Sequence, residues 1–297
     1  MRRDIEFLSD GLTLRGWLYT PDKGSGPFPT VVMAHGFSGV KEMGLDLYAE
    51  VFAAGGLASL VYDNRCLGAS DGQPRCDIDP VMQMRDYRSA ITYAQSLKEC
   101  DSGRIGVWGT SYTGGTVCKV GALDRRVRAV VSQVPFLDGH RNIQQFTPVG
   151  SIAGFHKMLD EDRARRAKGE PPQYSKITSK DPTEPHLFPG DATYNYIHQY
   201  VNKLPKCTWE NRTTIRSLEY MLEYETATAM GRLGATPLLM IVSEWDTTTP
   251  TDIALDHFAL VKGPKQLMTI KADHYAAYTD GFAETSAAAR DWFNSHL

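Results

Sequence analysis

The chain has 297 residues, 42% of them hydrophobic and 23% charged, and carries a net charge of −3. This composition suits a folded soluble core and gives a nucleic-acid surface no electrostatic support. No apolar run approaches the ~18 residues needed to span a bilayer, and the start MRRDIEFLSDG turns acidic before a signal-peptide core can form, so a cytoplasmic protein is expected.

DIEFLS and LTLRGWLYTP read as two strands joined at Asp10-Gly11, a hairpin signal, so the chain is expected to open antiparallel. The short run TVVMA then ends in HGFSG, and MGLDLYAEVFAAGG follows with helical spacing. The alternation repeats: LASLVYD and a helix from about Pro80 to Cys100, RIGVWGTS and a helix from Gly114, then VRAVVSQVP. These strands are apolar throughout, as expected for a parallel sheet covered by helices on both faces. Between residues 136 and 236 the regularity stops. This segment is expected to be an inserted helical cap, with a charged helix around KMLDEDRARRAKGE, a Pro-rich loop and a helical TTIRSLEYMLEYETATAM. Its aromatics, Phe146, Phe155, Tyr194, Tyr196, Tyr200, Trp209, Tyr220 and Tyr224, can wall a substrate cavity or fill the cap's own core. The sheet resumes with PLLMIVSEWD, a helix over TPTDIALDHFALVKG, the strand KQLMTIKA, the turn DHYAAY and a last helix. The predicted fold is thus a single α/β unit over 1–297, mostly parallel and doubly wound, with an N-terminal hairpin and a cap over 136–236.

Five cysteines, Cys66, Cys76, Cys100, Cys118 and Cys207, form no C-x-x-C spacing, so reduced thiols are expected and neither a metal site nor a cofactor is suggested. Cys100 and Cys118 read as small apolar residues in helices. Asp63 and Arg65, in YDNRCLGASDGQPR, read as an ion pair bracing the turn after a strand.

Chemistry concentrates at GVWGTSYTGG. A strand, a sharp turn and a helix lift the Ser111 hydroxyl out of the sheet and aim helix N–H groups at charge developing beside it. Thr113 stands where the G-x-S-x-G pattern has its last glycine, but Gly114 and Gly115 still let the helix approach. A serine on such an elbow takes its acid and then its histidine from later in the chain. Asp246 lies just past the strand PLLMIVSEW and His274 just past KQLMTIKAD, both beyond the carboxyl ends of predicted parallel strands, where open α/β sheets place their ligands. The expected roles are nucleophile for Ser111, general base for His274 and orienting carboxylate for Asp246, with Asp273 capping the turn. The backbone N–H groups of Phe37 and Tyr112 are expected to form an oxyanion hole, with His35, Trp245, Tyr275, Phe136 and Phe155 about the substrate.

TLRGWLY, VVMAHGFSGVKEMGLDLYAEVFAAGGLASLVYDNR, GVWGTSYTGG, VVSQVPF and PLLMIVSEWDTTTPTD resemble the polyketide-transferase-like branch of the α/β-hydrolases, related to dienelactone-hydrolase-like esterases. In that family the serine motif reads G-T-S-[YF]-S-G-G, which Thr113 fits. The resemblance implies a Ser-Asp-His enzyme, mapped onto Ser111, Asp246 and His274, that cleaves or transfers acyl groups. In several members the substrate is a polyketide chain on a carrier-protein thioester. Two departures alter the surroundings: Arg65-Cys66-Leu67-Gly68 replaces R-G-x-G, and Ala272-Asp273-His274-Tyr275-Ala276-Ala277-Tyr278 replaces G-G-H-F-D-x-Y. The expected function is acyl-enzyme chemistry on an ester or thioester, as an esterase, thioesterase or acyltransferase of secondary metabolism. A carbon–carbon bond-forming condensation on the same triad and a non-catalytic receptor are the alternatives. A small-molecule acyl substrate, free or delivered by a carrier protein, is the expected partner, and a homodimer is left open.

Overall fold

The computed structural model describes residues 1–181, 183–204 and 207–297, without the side chain of Phe146. Strands β1 (Arg2–Ser9) and β2 (Leu12–Tyr19) form the predicted hairpin, turning through Asp10 and Gly11 at φ of 46° and 82°. After β3 (Phe28–Ala34) come α1 (Leu45–Ala54), β4 (Ala58–Tyr62), α2 (Pro80–Ser96), β5 (Cys100–Thr110), α3 (Tyr112–Leu123) and β6 (Val127–Gln133). The segment that follows holds α4 (Gly139–Phe146), α5 (Ile152–Ala167), the two-residue β7 (Tyr174–Ser175), α6 (Asp191–Val201), the two-residue β8 (Thr213–Thr214), α7 (Ile215–Leu222) and α8 (Ala227–Met230). The chain closes with β9 (Leu238–Ser243), α9 (Thr251–Leu260), β10 (Lys265–Ile270) and α10 (Phe282–His296).

Eight strands make one sheet in the order β1-β2-β4-β3-β5-β6-β9-β10. The pairs β1/β2 and β2/β4 are antiparallel and every later pair is parallel. The unbroken apolar runs now have their reason. Along β3, Val32 and Ala34 face one core with α2 and α3 while Val31 and Met33 face another with α1 and α10, and all four are fully buried. Each such valine contributes about 1.5–3 kcal/mol relative to an exposed one. No helix among the described residues is long and apolar enough to cross a membrane.

Several local expectations change. Cys100 opens β5 and is not helical, because α2 ends four residues earlier at Ser96. Asp63 and Arg65 do not pair with each other. Asp63 accepts from Lys41 Nζ at 2.6 Å and from the N–H groups of Lys41 and Ala69, while Arg65 makes a two-pronged contact with Asp86 at 2.7 and 2.5 Å. Two residues apart on a chain leaving its strand, they reach different elements, and both remain structural. Helices α4 and α6 were not foreseen. In α6 the buried positions are Thr193, Tyr196 and Ile197, of which only one is aliphatic.

Candidate active site

The site lies at the carboxyl ends of the parallel strands, where β3, β5, β9 and β10 each deliver a loop. Ser111 sits between β5 and α3 with φ 55° and ψ −122°, a strained conformation for a residue bearing a Cβ. Neighbouring backbone holds it there. The Ser111 N–H donates to the Gln133 carbonyl at 2.8 Å, and its own carbonyl accepts from Gly114 and Phe136 at 2.9 and 2.8 Å. Thr113 has a role the motif alone does not show. Its hydroxyl accepts from the Thr110 N–H at 3.0 Å and reaches the Ala34 carbonyl at 2.9 Å, tying the elbow to the end of β3. Helix α3 approaches as expected: a Cβ on Gly115 would lie 2.1 Å from the Phe136 carbonyl oxygen. Gly115→Ala should therefore lower stability by about 3 kcal/mol in a denaturant titration, since overpacking against backbone finds no rotamer to relieve it.

Asp246 follows β9 and is fixed before it meets the histidine. Its Oδ1 accepts from the N–H groups of Thr248 and Thr249 at 2.8 and 2.7 Å. Its Oδ2 lies 2.7 Å from Nδ1 of His274, and because an ionised carboxylate only accepts, Nδ1 carries the proton. In the neutral ring with that tautomer, Nε2 is the acceptor nitrogen a general base needs. Both residues are buried, His274 at 3% exposure and Asp246 at 7%. Asp273 caps the following turn through the N–H groups of Tyr275 and Ala276.

Thr249 is the residue that sequence reasoning missed. Its hydroxyl stands 3.0 Å from Asp246 Oδ2, 3.1 Å from His274 Nδ1 and 3.0 Å from the carbonyl of Val134. Val134 has a φ of 37°, rare for a β-branched side chain, so the strained exit of β6 offers its carbonyl to this cluster. The only signal in the sequence is the threonine run after Asp246, which does not say which hydroxyl turns inward.

His35 and Phe37 follow β3. The loop presses on the elbow: a Cβ on Gly36 would lie 3.0 Å from the Ser111 Cβ. The N–H groups of Phe37 and Tyr112 enter none of the described turn and loop hydrogen bonds. His35 bonds the Met43 carbonyl at 3.1 Å, and burial pushes its pKa down to about 4 against the raising effect of that bond, which keeps it neutral. Cys66 is buried and its thiol is pushed up to about 11 by burial, so it stays protonated.

Two compartments meet at Ser111. One, of about 620 Å³, is lined by Tyr112, Phe136, Ile143, Phe155, Leu218 and Met221 among others. The second, of about 50 Å³, is lined by His35, Tyr196, Trp209, His274, Tyr275 and Tyr278 among others. Ser111, Phe37, Phe188 and Thr248 belong to both. Of the aromatics expected about the substrate, Trp245 lines neither: it is 63% exposed, since the residue before Asp246 points outward as Asp246 turns in. Tyr220 and Tyr224 pack around Tyr112 and Phe136, and Tyr194 stacks on His198. The Phe146 side chain lies outside the described residues.

The family model described as X-Pro dipeptidyl-peptidase (S15 family) matches residues 10–276. The chain is 34% identical to a thiohydrolase of Eupenicillium brefeldianum over 84% of its own length and 80% of that protein's. It is 30% identical to polyketide transferase grgF of Penicillium sp. over 96% of its length and 92% of the relative's. Among solved structures, the α/β-hydrolase GrgF from Penicillium sp. sh18 superposes with a TM-score of 0.85 at 28% identity, covering 100% of this chain and 99% of that one. The strand order, the serine elbow between β5 and α3, and these matches along nearly the whole chain together place it in the S15 family of α/β-hydrolases, as a serine-dependent hydrolase or acyl transferase.

Proposed function

We propose that the protein cleaves the acyl bond of an apolar ester or thioester through an acyl-enzyme on Ser111, with His274 as general base and acid and Asp246 as its orienting partner. The observation that carries this reading is the buried Asp246–His274 contact of 2.7 Å opening beside Ser111 at the junction of the two compartments. Ser111 Oγ attacks the acyl carbon as His274 Nε2 takes its proton, and the N–H groups of Phe37 and Tyr112 hold the oxyanion. Loss of one such donor typically costs about 3 kcal/mol of transition-state stabilisation.

The names of the relatives favour a polyketide-type acyl chain, and the larger compartment suits it by being mostly apolar. A peptide with a charged amino terminus fits less well. Among the described lining residues of both compartments the one carboxylate is Glu184, already engaged by Lys176 and by Ser179 at 2.7 Å. The segment between β6 and β9 is read as the cap over this cavity, contributing Phe155, Leu218 and Met221. A cytoplasmic setting, in which all five thiols stay reduced, completes the reading.

The test is turnover of short-chain and medium-chain vinyl esters, which release a small alcohol irreversibly. Medium acyl chains should give the higher kcat/KM, and no ester turnover with any chain length would reject the proposal. Thr249 enters as a positioning residue. Thr249→Val should lower kcat roughly tenfold with little change in KM, since a hydrogen bond to a charged group contributes about 1.5–3 kcal/mol and about 1.4 kcal/mol is tenfold in rate. Thr249→Ser should restore most of it; equal losses in both variants would mean packing alone.

A further inference from the structure

The two compartments differ in volume by more than tenfold, about 620 against 50 Å³, and they differ in which catalytic group they contain. Ser111 borders both, whereas His274 lines only the small one. That asymmetry assigns the second half-reaction to a place. The group that releases the acyl chain from Ser111 must give its proton to His274, so it stands within hydrogen-bond reach of that ring. We infer that the small compartment is the acceptor subsite, sized for water or a very small nucleophile, and that this protein is a hydrolase and not a transferase to a second large molecule. The inference rests on the roles proposed above for Ser111 and His274.

The volume decides the class of acceptor. A cavity needs about 10–15 Å³ of water-accessible space for each water, which also needs two to four polar partners, so about 50 Å³ holds a few waters or one very small alcohol and no second large molecule. The walls offer such partners in His274 and Thr193, and they are tied in place. The Tyr275 hydroxyl bonds Thr193 at 2.7 Å, and the Tyr196 hydroxyl lies 3.3 Å from the Met43 carbonyl. The Tyr196 ring stacks on Tyr275 with centroids 4.9 Å apart and leans on Tyr278 at 5.0 Å. Toward the larger compartment, Phe37 and Phe188 meet edge to face at 5.8 Å. Widening the subsite would break several of these contacts together.

The chemistry then balances without a further reactant. The water oxygen bonds to the acyl carbon as His274 Nε2 takes a water proton. The tetrahedral intermediate collapses, the carbon–Oγ bond breaks, and His274 returns the proton to Ser111 Oγ, leaving a free carboxylic acid. By microscopic reversibility the leaving group of the first half-reaction departs from the same side. The favoured substrate therefore pairs a large apolar acyl group with a small leaving group, which a carrier-borne thioester does not.

The experiment acylates the enzyme with vinyl hexanoate in the presence of methanol, 1-butanol or benzyl alcohol at equal concentration. Chromatography then measures new ester against hexanoic acid. Methanol should compete with water, while transfer to benzyl alcohol should be lower by about tenfold or more, a margin within reach of a pocket that rejects by size. Ile177 also lines the small compartment, and Tyr275→Ala and Ile177→Ala, each removing a different lining side chain, should raise the benzyl ester fraction by a comparable factor. A hexanoyl adduct on Ser111 that benzyl alcohol intercepts as readily as methanol would overturn the acceptor subsite alone. Absence of any adduct at Ser111 in quenched mass spectra would overturn the catalytic reading and this inference with it.

Discussion

Replacing Ser111 by alanine should reduce kcat for vinyl hexanoate by on the order of 10⁶-fold while leaving the thermal melt close to that of the parent protein. The two halves of this expectation have separate causes. Alanine removes the hydroxyl proposed to attack, and the oxyanion donors and the pocket can retain no more than a small residual rate over water. The fold, by contrast, does not use the hydroxyl. The bonds that hold the elbow run through the Ser111 backbone to Gln133, Gly114 and Phe136, and a Cβ is still present at φ 55°. A variant that kept a tenth of the parent rate would place the nucleophile elsewhere.

Asp246→Asn should cost about 10⁴-fold in kcat with modest change in KM, because the wrong imidazole tautomer results. An asparagine carbonyl can take over Oδ1's place as acceptor for the N–H groups of Thr248 and Thr249, which lie 2.8 and 2.7 Å away. That choice points the amide NH₂ at His274 Nδ1, 2.7 Å from the atom it replaces. Nδ1 then becomes the acceptor, the proton moves to Nε2, and the base that Ser111 requires is lost. Flipping the amide restores the tautomer only by turning the NH₂ against two backbone donors. Steady-state kinetics across pH separates this from simple misfolding: activity should remain low at every pH at which the protein stays folded.

Much of this arrangement was legible in the sequence, for identifiable reasons. Apolar runs alternating with helical segments announce a parallel sheet, so the positions of Ser111 and Asp246 follow from where the buried runs of β5 and β9 end, and that of His274 from the end of the more exposed edge strand β10. The hairpin at Asp10-Gly11 was legible because left-handed φ values select those residues. What was not legible depends on partners distant in sequence. Nothing in YDNR says that Asp63 will take Lys41 and Arg65 will take Asp86, and nothing in DTTT says that Thr249 will face the histidine. Trp245 was expected about the substrate for its type and position, yet a one-residue rotation at the end of β9 sends it to solvent. Helix α6 went unseen because its buried stripe is Thr193, Tyr196 and Ile197, and that stripe is what shapes the small compartment beside His274.

The departure at Ala272–Tyr278 also gains a physical meaning. The Tyr275 hydroxyl, which the phenylalanine of the family pattern lacks, bonds Thr193 of α6, while Tyr278, which matches that pattern, packs against Tyr196, so Tyr275 is where the departure reaches the wall proposed to limit the acceptor. Relatives that carry other residues there are expected to differ in what they accept more than in how they form the acyl-enzyme.

The central claim is that Ser111 is the one nucleophile, and the most direct measurement is intact-protein mass spectrometry after exposure to a fluorophosphonate, whose fluoride leaving group is small enough for the acceptor subsite. A single adduct should form on the parent protein, map to the peptide containing GVWGTSYTGG, and be absent from Ser111→Ala. Labelling that persists in Ser111→Ala, or that maps to any other residue, would contradict it.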